Sequence, residues 1–114
     1  MNRGGIFVAL MSFFLSMPAS AAWTSWYQVT KYRVSSEYLA IEFAQAIPEA
    51  QTQGCTIPSV LVILTSSGTY KAVLANIMTA ALTGKKVAFY IDSCYGAPSN
   101  SYGQFSSLYV DTQL

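Results

Sequence analysis

Residues 66–94 read SSGTYKAVLANIMTAALTGKKVAFYIDSC, an amphipathic helix that meets a glycine stop, passes into a strand and reaches a cysteine. Tyr70, Val73, Leu74, Ile77, Met78, Ala81 and Leu82 recur at spacings of three and four, which predicts a helix with one apolar stripe packed on a core. Ser66, Ser67 or Thr69 can accept the free amide protons at its start, and Gly84 can take the left-handed conformation just past its end. Residues 85–92 then alternate, with Val87, Phe89 and Ile91 against Ala88, Tyr90 and Asp92, the period of a half-buried strand. The opposite helix face carries Ala72, Ala75, Asn76, Thr79, Ala80 and Thr83, with Lys71 its one charge. Small uncharged residues let another backbone come close, so Ala72, Ala75, Asn76, Thr79 and Thr83 are the expected contacts between subunits; a plain alanine-rich solvent face is the alternative reading.

The remaining segments supply strands. Residues 26–34 (WYQVTKYRV) are aromatic and β-branched. Residues 37–47 alternate Leu39, Ile41 and Phe43 against Tyr38, Ala40, Glu42 and Ala44, a half-buried strand, although Ala, Glu and Gln keep a helix in competition. Pro48 ends that run, and residues 49–56 read as a loop turning at Gly54. Pro58 cannot donate to a ladder and belongs at a strand start, before the continuous apolar run 59–65 (SVLVILT), expected to be buried on both faces. Residues 93–103 have the Gly, Pro, Ser and Asn of a long loop, and residues 104–112 form a last strand. The expected fold is therefore α+β and mostly β. Five strands with one helix between the third and fourth is the element order of an OB-fold barrel, an order other small α+β sheets share.

Residues 1–21 are read as a signal peptide: Arg3 gives the positive start, residues 6–17 a short apolar run, and Ala19-Ser20-Ala21 an A-x-A cleavage pattern. The apolar run falls short of the roughly 20 residues a spanning helix needs, so no membrane span is expected. Residues 22–114 form one domain, exported to the periplasm or secreted. That domain keeps Lys31, Arg33, Lys71, Lys85 and Lys86 against Glu37, Glu42, Glu49, Asp92 and Asp111, a neutral balance that gives nucleic acid no positive field to bind. Charged residues make up only 10% of the chain, and a surface so short of charge suits a molecule covered by another chain. In an oxidising compartment Cys55 and Cys94 are expected to pair, free or intermolecular thiols being the alternative; closing so long a loop stabilises by about 4 kcal/mol in the chain-entropy model.

Catalysis finds no constellation. There is no histidine to serve as a base, the carboxylates are scattered, and neither a G-x-S-x-G elbow nor a glycine-rich phosphate loop is present. Two thiols without histidine do not complete a zinc site, so neither metal nor cofactor is expected. Binding has better material in the amphipathic rings Trp23, Trp26, Tyr27, Tyr32, Tyr38, Tyr90, Tyr95, Tyr102 and Tyr109, for each of which core or rim packing is the alternative reading; Tyr90 on the polar strand face, Tyr95 and Tyr102 on the long loop, and Trp26 are the expected ligand contacts.

The run Tyr70-Lys71-Ala72-Val73-Leu74 through Ala80-Ala81-Leu82-Thr83-Gly84-Lys85-Lys86-Val87-Ala88-Phe89-Tyr90 resembles the helix and following strand of the subtilase cytotoxin B subunit and its exported relatives. Ala22-Trp23-Thr24 is similar to that family's mature N-terminus. The resemblance implies an OB-fold, a ring of five subunits with helices lining the centre, a sugar-binding surface on the barrels, and an exported enzymatic A subunit as partner. Ser25-Trp26 stands where the family has glycine-aspartate, Ile91 stands where it has a sugar-contacting tyrosine, and its cysteines pair differently. Fold therefore carries over and a named sugar does not. The function expected is that of a non-catalytic, toxin B-subunit-like homo-oligomer recognising a glycan. The alternative is a small periplasmic structural or adaptor protein that binds another protein and no sugar.

Overall fold

A computed structural model describes residues 21–112; the expected leader lies, but for Ala21, outside the described residues. The described chain is mostly β, with seven strands in one sheet and two helices: β1 (Ala22–Trp23), β2 (Tyr27–Gln28), β3 (Tyr32–Val34), β4 (Tyr38–Glu42), α1 (Pro48–Thr52), β5 (Ile57–Leu64), α2 (Tyr70–Thr83), β6 (Lys86–Ala97) and β7 (Asn100–Val110). The sheet order is β1-β6-β7-β5-β4-β3, with β2 also on β6. All ladders are antiparallel except β5 with β7. The expected five-stranded OB-fold-like barrel is seen as a mostly β sheet of seven strands whose pairing path is not closed.

The core explains which residues took which face. Leu39 and Ile41 of β4, Leu61 and Ile63 of β5, Val87, Phe89 and Ile91 of β6, and Phe105 of β7 pack with Val73, Ile77 and Ala80 of α2. Phe89 meets Phe105 edge to face, with centroids 5.0 Å apart. Val62 is fully buried along with its neighbours Leu61 and Ile63, as the continuous apolar run predicts. Gly84 ends α2 at φ +73°, and its amide donates to the Ala80 carbonyl at 2.9 Å. Thr69 precedes the helix but does not cap it through its side chain; its hydroxyl donates instead to the Ser106 carbonyl of β7 at 2.8 Å.

Four expectations need correction. The single strand at 26–34 is divided into β2 and β3, because Val29 turns into the core between them. The loop at 49–56 contains α1, which starts at Pro48, a residue whose fixed φ suits the first helical position. The loop at 93–103 is the outer half of a β6–β7 hairpin, turned at Pro98-Ser99, in which strand pairing outweighs local turn propensity. The helix is rotated from the expected stripe. Ala80 is buried, whereas Met78 is 43% and Leu82 87% exposed. Tyr70, Val73, Leu74, Ile77 and Ala81 of the expected stripe do lie in or against the core, and the small Ala80 joins them in place of Met78 and Leu82.

Cys55 and Cys94 form a disulfide with Cα atoms 5.5 Å apart, joining the α1–β5 turn to β6. Beside it, the Thr56 amide donates to the Ser101 hydroxyl at 3.0 Å and the Ser101 amide to the Thr56 hydroxyl at 2.7 Å. The dipeptide Cys55-Thr56 thus holds both arms of the hairpin, one through sulfur and the other through paired hydrogen bonds. No helix among the described residues is long and apolar enough to cross a membrane.

Candidate functional site

Two bulges decide what the hairpin presents to solvent. Period two would put Tyr90 and Tyr95 on opposite faces of β6. Pairing runs Ile91 with Phe105 and then Ser93 with Gln104, so Asp92 is an extra residue that reverses the alternation. On β7, Ser106 is extra in the same way, between Phe105 and Ser107. Its carbonyl is the one that accepts the Thr69 hydroxyl, so the bulge keeps a backbone partner. As a result Tyr90, Ser93 and Tyr95 on β6 share the outer face with Tyr102, Gln104, Ser107 and Tyr109 on β7, while Cys94, Gly103 and Phe105 face inward.

The outer face carries two aromatic groups. At the hairpin end, Tyr95 and Tyr102 are register partners, and Tyr38 of β4 meets both edge to face, with centroids 5.6 and 6.1 Å apart. The Arg33 guanidinium stands 5.6 Å from the Tyr38 ring centroid and 3.5 Å from its hydroxyl. That hydroxyl, and more weakly Glu42, push the Arg33 pKa further up, so the cation is permanent. Glu42 lies 3.4 Å from Lys31 and 3.6 Å from Arg33, an exposed pairing worth at most about 1 kcal/mol that leaves one net positive charge. Ala40 and Val62 share this face yet are fully buried, in keeping with rings that lean across the sheet.

The second group lies at the other end of the hairpin. Trp23 of β1 pairs with Tyr90 in the ladder, its ring tilted against the tyrosine at 5.2 Å. It also stacks on Tyr109 at 4.5 Å with 16° between planes. Trp23 remains 41% and Tyr109 61% exposed, so ring surface is left open to a ligand. β1 is held there by Thr24, whose amide donates to the Phe89 carbonyl at 2.9 Å and whose hydroxyl accepts the Phe89 amide at 3.0 Å.

Of the expected contacts, Tyr95 and Tyr102 come together, Tyr90 belongs to the second group, and Trp26 is exposed without joining the ring contacts of either. Tyr38, Arg33, Trp23 and Tyr109 were not among them. The signal for Tyr38 was present in its alternation with Ala40 and Glu42, opposite the core face; that for Tyr109 was hidden by the Ser106 bulge. On α2, Ala72, Ala75, Asn76, Thr79 and Thr83 are all exposed. Asn76, Thr79 and Thr83 donate to the carbonyls of Ala72, Ala75 and Thr79 at 2.8–2.9 Å, which uses both hydroxyl hydrogens and one of the two amide hydrogens inside the helix.

No protein-family model and no curated protein matches the chain.

Proposed function

We propose that the protein is an exported, non-catalytic binding protein of OB-fold type, similar to toxin B subunits, that recognises glycans as a homo-oligomer. The observation that carries this reading is the cluster of Tyr38, Tyr95 and Tyr102 beside Arg33 on the outer face. Rings with apolar faces and hydroxyl tips suit a sugar, which itself has apolar faces edged by hydroxyls. The OB assignment is supported by the parallel pairing of β5 with β7 and by the segment from β2 to β3, which starts on β6 and ends on β4. OB-folds bind oligosaccharides with the face of their second and third strands and the loops after the first and fourth. In that correspondence Tyr38 follows the first of these loops, and Tyr95 and Tyr102 flank the other.

The oligomer rests on α2. Its exposed face combines Ala72, Ala75 and Thr79 with the open side chains of Met78 and Leu82, and Lys71 is its one charge. A second copy of the chain is the occupant proposed for it, five copies being what the resemblance implies. The same exposure favours the second reading, an adaptor that binds another protein through α2 and takes no sugar. A glycan array probed with folded, oxidised protein separates them. Binding that is lost on Tyr38→Ala and Tyr102→Ala supports the lectin reading, and a blank array overturns it.

A further inference from the structure

Resting on the glycan reading, we infer that the outer face of the β6–β7 hairpin is a continuous track for an extended, uncharged oligosaccharide, with a second stacking subsite built from Trp23, Tyr90 and Tyr109. The row along the hairpin alternates in chemistry. Tyr95 pairs with Tyr102, then Ser93 with Gln104, then Tyr90 with Ser107, and Trp23 and Tyr109 stack at the far end. Ring platforms are separated by hydroxyl and amide groups, which matches a chain of sugar rings whose apolar faces alternate with hydroxyls. The Asp92 and Ser106 bulges are what bring all these side chains to one face.

Length and charge define the ligand. Tyr102 and Tyr109 stand at opposite ends of β7, so at ~3.3 Å per residue the two platforms are about 20 Å apart. That is several times the width of one sugar ring, so only a chain reaches both. Asp92 lies exposed beside the row and accepts the Ser93 hydroxyl proton at 3.2 Å; its negative charge offsets the one net positive charge beside Tyr38, so the track as a whole is neutral, and it offers an acceptor to sugar hydroxyls. The Trp23–Tyr109 stack leaves the exposed side of each ring free. Once one end of a chain is seated at Tyr38, Tyr95 and Tyr102, its contact with the second platform is intramolecular and adds affinity without a second association cost.

The test is a calorimetric titration of neutral β-linked glucose and N-acetylglucosamine ladders, each running from mono- to hexasaccharide. The track predicts that affinity in at least one ladder rises about tenfold or more with length and then levels off. Tyr109→Ala should remove that rise, while Tyr109→Phe, which keeps the ring, should retain it. Because Tyr109 is an exposed side chain on a paired strand, thermal melts of both variants verify folding. Short sugars binding with no length dependence overturn the track and leave the glycan reading intact, as does a rise that survives Tyr109→Ala. No response to any member also overturns the track, and the glycan array then decides separately whether the lectin reading falls with it.

Discussion

Adding one methyl group at Gly103 tests the packing that holds the candidate site in place. Gly103 faces inward on β7, between Tyr102 and Gln104, and pairs with Leu61 on one side and Cys94 on the other. A Cβ there would lie 2.7 Å from Leu61 Cδ2, 3.0 Å from Ala50 Cβ and 3.8 Å from Ile91 Cγ2, and all three residues are fully buried. The Leu61 methyl can rotate only into a filled core, and Ala50 Cβ moves only with the backbone of α1. Overpacking of this kind costs about 1–3 kcal/mol. Alanine's smaller loss of backbone freedom returns roughly 0.5–1 kcal/mol. Gly103→Ala should therefore destabilise by about 1–2 kcal/mol, a fall in Tm of about 5–15 °C for a domain of this size. Urea unfolding followed by far-UV circular dichroism reads this as a lower midpoint at unchanged slope. In a double-mutant cycle, Leu61→Val should relieve part of the cost, with coupling of at least about 0.5 kcal/mol. A Gly103→Ala variant as stable as the parent, or one strictly additive with Leu61→Val, refutes the close approach.

Three further outcomes follow from the same contacts. Replacing both Cys55 and Cys94 by serine opens a loop of 39 residues and should cost about 4 kcal/mol on the chain-entropy account, measured by chemical unfolding against the oxidised parent. Burial, and behind it the charge of Glu49, push the Tyr27 phenol above its ordinary pKa of 10.0. The stability tied to that proton is complete below about pH 10 and is lost as pH rises through the folded pKa, so Tyr27→Phe should flatten the alkaline limb of a stability-pH curve. Leu82, 87% exposed on α2, should tolerate lysine with the far-UV circular dichroism of the folded chain retained while the native mass falls from oligomer to monomer; an unchanged native mass removes the α2 interface.

Much of the frame was legible where local pattern and final packing agree. The helix, its glycine stop and the inner residues of β6 follow from periodicity, and Cys55 and Cys94 pair as two cysteines were expected to. What stayed hidden depends on partners distant in sequence. The segment at 93–103 looks like a loop until its arms are paired and held by Cys55-Thr56. Tyr90 and Tyr95 share a face only because Asp92 is bulged, and a bulge leaves no mark in an alternation rule. β1 is two residues long and exists through Thr24 and Phe89. On α2, Ala80 was expected on the face away from the core, and its burial in place of Met78 belongs to the sheet the helix packs on.

The decisive measurement is sugar binding by the oxidised protein compared with its Tyr38→Ala and Tyr102→Ala variants. Glycan-array binding by the parent, weakened about tenfold or more in both variants at unchanged Tm, is the predicted result. Binding that is indifferent to both tyrosines, or none by a folded and oxidised parent, contradicts the account.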